Sequence, residues 1–287
     1  MTTLLDTVQT TEPTRTSTGP GRITLARTTA AEWIKFRSVR STIWTLAATL
    51  ALMVGVSVLA AWGSTTDFVD PGTSPGGMNA AQLFSAGYQL AQLGVAVLGV
   101  LIITGEYSTG MIRSTFTAVP GRLPVLWAKA CVLTASVLVV TVVAMALSYV
   151  ATIPFHDELG VTFDLTEAET LRMTIGLPLY LAAIGLLTLA IGALVRHSAA
   201  ALSGVIALLL VIENVLFMIP LRAIDAISPF LPSTAGRRVL FDSEMIDTVN
   251  AATDGAQLTP WQGFAVLLVW VMALLSLAAV LLRRRDA

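Results

Sequence analysis

The chain has 287 residues, 55% of them hydrophobic and only 12% charged, against about 25% charged in a soluble domain. A mean hydropathy of +0.79 and a net charge of −1 exclude a soluble enzyme, a disordered chain and a nucleic-acid binder, which would need a basic excess. The single cysteine, Cys131, excludes an internal disulfide framework.

Residues 1–22 are Thr-rich with no apolar stretch, which reads as a disordered cytoplasmic tail and not a cleavable signal peptide. Residues 23–287 read as a single membrane domain. It opens on residues 23–40, where Ala26, Ala30, Trp33 and Phe36 recur at helical spacing beside a basic face of Lys35, Arg37 and Arg40. That pattern suits an amphipathic helix in the inner headgroup layer. It is either an anchor that also sets orientation or a helix that also touches a cytoplasmic partner.

Six stretches then reach the roughly 20 apolar residues needed to cross about 30 Å of hydrocarbon. They are 42–62, 83–104, 125–151, 175–195, 199–219 and 262–282. The expected fold is an all-α integral membrane protein with six transmembrane helices. The alternating ten-residue runs of a β-barrel are absent from the sequence. Lys and Arg are counted on each side to orient it. With the N-terminus in the cytoplasm, 13 basic residues fall inside and 4 outside, while 12 acids fall outside and 5 inside. Both termini are thus expected in the cytoplasm of a multi-pass cell-membrane protein whose surroundings are the lipid bilayer.

Within the inner connection 105–124, Ile112, Phe116 and Val119 share one face of a short helix that Pro120-Gly121 stops. An apolar stripe beside Arg113 suits a docking surface; the alternative is a helix lying on the membrane. Glu106 and Arg113 are positioned for a local ion pair. Gly110 and the glycines of the spans read as sites of close helix packing. Lys129, five residues into the third span, is expected to snorkel to the headgroups. In the fifth span Glu213 stands beside Asn214. A carboxylate in hydrocarbon is costly, so it either lines a transport path or is hydrogen-bonded to a neighbouring element. The 42-residue connection 220–261 holds Ser228-Pro229-Phe230-Leu231-Pro232.

Some chemistry is missing. A P-loop needs Gly-Lys followed by Ser or Thr, and Lys35 and Lys129, the only lysines, are followed by Phe36 and Ala130. ATP-driven work would need another chain. The two histidines, His156 and His197, have no zinc-site spacing.

Ala31-Glu32-Trp33-Ile34-Lys35-Phe36-Arg37-Ser38 resembles the opening of type 2 ABC exporter permeases. Gly105-Glu106-Tyr107, Gly110-Met111-Ile112-Arg113-Ser114-Thr115, Pro120-Gly121-Arg122 and Lys129 are similar to that family's segment between its second and third helices. Met111 departs from it, where a small polar residue is expected. The resemblance implies the transmembrane permease subunit of an ATP-driven transporter, an exporter that is not itself an enzyme. It would dimerise with a second permease copy, identical or a sister chain, and bind two copies of an ABC ATPase subunit. ATP and Mg would be held by the ATPase, with no cofactor or metal on this chain. Residues 108–119 would be the cytoplasmic coupling helix, with Glu106, Gly110, Ile112, Arg113, Phe116, Pro120 and Arg122 coupling to the ATPase. Glu32, Trp33, Lys35 and Arg37 would lie on an interfacial connecting helix. Before span six a re-entrant helical hairpin is implied, with Glu213, Asn214, Pro229, Phe230 and Pro232 lining the pathway or its outer gate. Two other readings stand beside this one: an ion- or proton-coupled carrier using Glu213, and a non-transporting membrane scaffold.

Overall fold

The computed structural model describes residues 24–65, 79–119, 121–218, 222–251 and 255–284. The expected tail at 1–22 and Pro120 lie outside them. Among the described residues there is no strand, only a parallel bridge between Asn79 and Thr162. Six helical stretches among these residues are long and apolar enough to cross a membrane, and the protein is a multi-pass, all-α membrane protein.

Helix α1 (Leu25–Ser38) starts at Thr24, whose side chain accepts from the Arg27 amide at 3.4 Å. Lys35 and Arg37 in its last turn complement the helix dipole. Extended backbone at Val39 turns the chain into α2 (Arg40–Thr65). The second span comes in two pieces, α3 (Ala80–Ser85) and α4 (Tyr88–Ser108). Helix α5 (Met111–Ala118) is the expected short helix, and α6 (Leu123–Thr152) is the third span. After a 3₁₀ turn and the short α7 (His156–Leu159) comes the fourth span, α8 (Ala168–Val195). The fifth span is α9 (Ser198–Ile206), a π-helical stretch (Ala207–Ile212) and α10 (Glu213–Met218). The sixth is α14 (Pro260–Arg284).

Helix α8 is the hub. In its most apolar window 72% of residues are buried, against 17% for α2 and 22% for the fifth span. Lipid supplies little hydrophobic drive between helices, so close backbone packing takes over, and small residues permit it. A Cβ on Gly99 of α4 would stand 2.6 Å from the Gly185 carbonyl of α8, and Gly192 is crowded by Ile103 and Val100. Those glycines fit the packing expectation. Gly110 does not. Nothing lies within 4 Å of where its Cβ would be, and its φ is +72°. It is there because the turn between α4 and α5 needs a left-handed residue.

Between the fifth and sixth spans the chain runs through α11 (Arg222–Ile227), a 3₁₀ turn (Ser228–Phe230), α12 (Pro232–Gly236), a second 3₁₀ turn (Arg237–Leu240) and α13 (Ser243–Ala251). Residues 228–240 are wedged between α8 and α14. Gly263 of α14 faces the Ala235 carbonyl, Gly176 of α8 faces Val239, and Trp270 Nε1 donates to the Phe230 carbonyl at 2.9 Å. This wedge sits at the opposite end of the bundle from α5.

Candidate functional site

Among the described residues, four linked ion pairs lie where α1, α4, α5 and α6 meet. Lys129 of α6 is 1% exposed. Its Nζ lies 2.7 Å from Glu32 Oε2 on α1 and 2.7 Å from Glu106 Oε1 on α4. Lys35 Nζ lies 2.9 Å from Glu32 Oε1 and 3.1 Å from Glu106 Oε1. The Thr115 hydroxyl of α5 accepts from Lys35 at 3.2 Å and stands 3.3 Å from Glu106 Oε2. Two ammoniums and two carboxylates alternate in a closed ring. Each buried charge has two opposite partners, which is the condition for keeping ions out of water. Burial works against the charge of Lys35, but its hydrogen bond and attraction to Glu32, then those to Glu106, outweigh it and hold the ammonium above its ordinary range. It stays charged at neutral pH.

The ring corrects three expectations. Glu106 pairs with Lys35 and Lys129, while Arg113 is exposed and takes no part. Lys129 does not snorkel, because two carboxylates meet it inside. The apolar stripe on α5 is not an outward docking face. Ile112 is 4% exposed and Phe116 packs against the core. Both seat the helix, and the outward face is Met111, Arg113, Ser114 and Thr117.

Arg122, a left-handed residue before α6, stands over the Phe116 ring at 5.5 Å and donates to the Leu282 carbonyl at 3.2 Å. It ties α5 to the end of α14. Helix α1 packs on the bundle by one face. Thr28, Glu32 and Phe36 turn inward, whereas Ala26, Ala30, Trp33 and Arg37 are exposed. The ring requires this, because Glu32 has to face the bundle. Two grooves flank α1 there. One of about 400 Å³ runs between α1 and α5, and one of about 570 Å³ between α1, α2 and α4.

At the opposite end, Glu213 is 3% exposed. One carboxylate oxygen accepts from the Ser233 amide at 2.9 Å. The other accepts from the Thr234 amide at 2.6 Å and the Thr234 hydroxyl at 2.8 Å. It caps the first turn of α12, where backbone N–H groups have no helical partner. Of the two readings of Glu213, the hydrogen-bonded one describes what it does here. The network runs on through residues that the sequence did not single out. The Tyr180 hydroxyl lies 2.6 Å from Gln92 Oε1 and 3.2 Å from Ser233 Oγ. Pro229 and Pro232 are buried, Phe230 is 42% exposed, and Asn214 is exposed, donating to the Leu210 carbonyl at 2.7 Å.

No family model matches the chain, and no curated protein matches it.

Proposed function

We propose that this chain is the transmembrane permease subunit of an ATP-driven ABC exporter. The ion ring of Glu32, Lys35, Glu106 and Lys129 is the observation that most supports the reading. It binds the short helix α5 and the pre-span helix α1 to two spans, so a push on α5 moves α4 and α6 with it. A segment outside the bundle that transmits motion needs such stiff attachment, and the two states it switches between need different contacts.

In this reading the termini and α5 face the cytoplasm of a cell-membrane protein. Helix α1 lies in the interface as the connecting helix, with Trp33 outermost. Residues 228–240 re-enter the membrane as a hairpin at the outer gate. A second permease copy, identical or sister, completes the pathway. Two copies of a separate ATPase hold ATP and Mg, seat on the exposed face of α5 beside the groove to α1, and do the hydrolysis. As for a proton carrier, three donors from α12 already occupy the Glu213 oxygens, so the carboxyl is held in a structural contact.

The test is co-purification with an ATPase subunit whose hydrolysis rises in the complex. Arg113→Glu is expected to weaken ATPase retention about tenfold or more, equivalent to about 1.4 kcal/mol, without changing the melting temperature, since Arg113 is exposed. Wild-type retention and transport by that variant would remove α5 as the coupling element.

A further inference from the structure

Beside the wedge lies a cavity of about 110 Å³ between α4, the π-helical stretch and α12. Its floor is Gln92, Leu209 and Ser233, all buried. Its mouth is Gln89, Leu210 and Asn214, all exposed. Arg237 forms one wall. Apart from Leu209 and Leu210, the residues that line it carry polar side chains, although Leu90 and Val211, next in the chain to Gln89 and Leu210 of the mouth, are apolar and 39% and 53% exposed.

Arg237 is the decisive residue. Its guanidinium stands 5.9 Å over the Phe241 ring, and its Nε is buried with no hydrogen-bond partner. Among the described residues it makes no ion pair. The nearby carboxylate, Glu213, is engaged with Ser233 and Thr234. An arginine with open donors in a polar, half-enclosed cavity of low dielectric calls for an anion that accepts several hydrogen bonds. A water occupies about 30 Å³ of liquid, so the cavity has the size of a carboxylate or phosphate group and not of a whole molecule. What extends from that group would leave past Leu210 along the apolar surface.

We propose that this cavity binds the oxyanion headgroup of an amphiphile, held by Arg237 with Gln92 and Asn214, its tail lying outside against the Leu210 surface. As the class of the transported substrate this rests on the permease reading. As a binding site it does not.

The test uses the purified full chain without any ATPase, so that its failure is separate from failure of coupling. Thermal shift and tryptophan fluorescence are titrated with dioleoylphosphatidylglycerol, dioleoylphosphatidylcholine, oleate and inorganic phosphate. Phosphatidylglycerol or oleate is expected to bind, phosphatidylcholine at least tenfold more weakly, and inorganic phosphate with no comparable shift. Binding of phosphatidylglycerol alone identifies a lipid phosphate, and binding of oleate extends the site to carboxylates. Arg237→Gln is expected to lose affinity at least tenfold, Arg237→Lys to retain most of it, and Arg284→Gln to retain all. Leu210→Trp, which closes the mouth and leaves Arg237 in place, is expected to lose binding as well. Equal binding of phosphatidylcholine, full binding of inorganic phosphate, or wild-type binding by Arg237→Gln or Leu210→Trp would overturn the proposal.

Discussion

Replacing Lys129 by methionine is expected to destabilise the protein by about 3–5 kcal/mol, because removing one member of a buried ion network leaves its partners charged and desolvated. Glu32 Oε2 would lose its 2.7 Å partner, and Glu106 would keep only Lys35. At roughly 2–4 °C per kcal/mol for a chain of this size, the melting midpoint in detergent should fall by about 10 °C. The methionine fills nearly the same volume, so the loss reports charge and not a cavity. Adding Glu106→Gln restores parity between one ammonium and one carboxylate, and part of the loss should return. If the single variant melted like the wild type, the ring would contribute nothing to stability. If the double variant were as unstable as the single one, packing and not charge would explain the loss. On the proposed permease reading, retention of an ATPase subunit should fall with the single variant too, since α5 is held to α1 and α4 through Lys35, Thr115 and Glu106.

Glu213→Ala carries the second large effect, at the other end of the bundle. The Ser233 and Thr234 amides would be left without acceptors next to a buried turn, at about 1–3 kcal/mol for each unsatisfied donor. A loss of about 2–5 kcal/mol is expected, concentrated in residues 228–240. Glu213→Gln keeps one acceptor oxygen and should lose about half as much. Amide exchange across 228–240 is the direct measurement, with faster exchange in the alanine variant before the rest of the bundle opens. Uniform exchange in both variants, or an alanine variant no worse than the glutamine one, would remove the capping role.

Much of the fold was legible because the membrane imposes long apolar runs. All six expected spans fall inside observed helices but for the last residues of the fifth, where residue 219 lies outside the described residues. What was not legible has two physical causes. Local breaks leave no trace in hydropathy: the turn at Ala86-Gly87 between α3 and α4, and the π-helical stretch before Glu213, are as apolar as their surroundings. Partner choice is tertiary. Glu106 and Arg113 are neighbours in sequence, but the left-handed turn at Gly110 separates them, while Lys129 and Lys35 reach Glu106 from 23 and 71 residues away. One signal was available: a lysine inside an apolar span needs a counter-charge, and Glu32 and Glu106 are the acids nearest the same end. Gln92, Tyr180, Ser233 and Arg237 had no comparable signal, since none of them is a charge inside an apolar span.

The ion ring also determines how the protein meets amine-selective reagents. Lys35 and Lys129 are its only lysines, and both ammoniums are held between carboxylates. Acylating probes and lysine-directed cross-linkers need an accessible neutral amine; at Lys35 the two carboxylates disfavour that form, and Lys129 is 1% exposed. Reaction at Lys129 is therefore confined to molecules in which α1 has come away from α4 and α6, whereas Lys35 stays one third exposed in the packed state. Labelling of Lys129 becomes a clock for that separation, read from a single peptide with no mutation introduced.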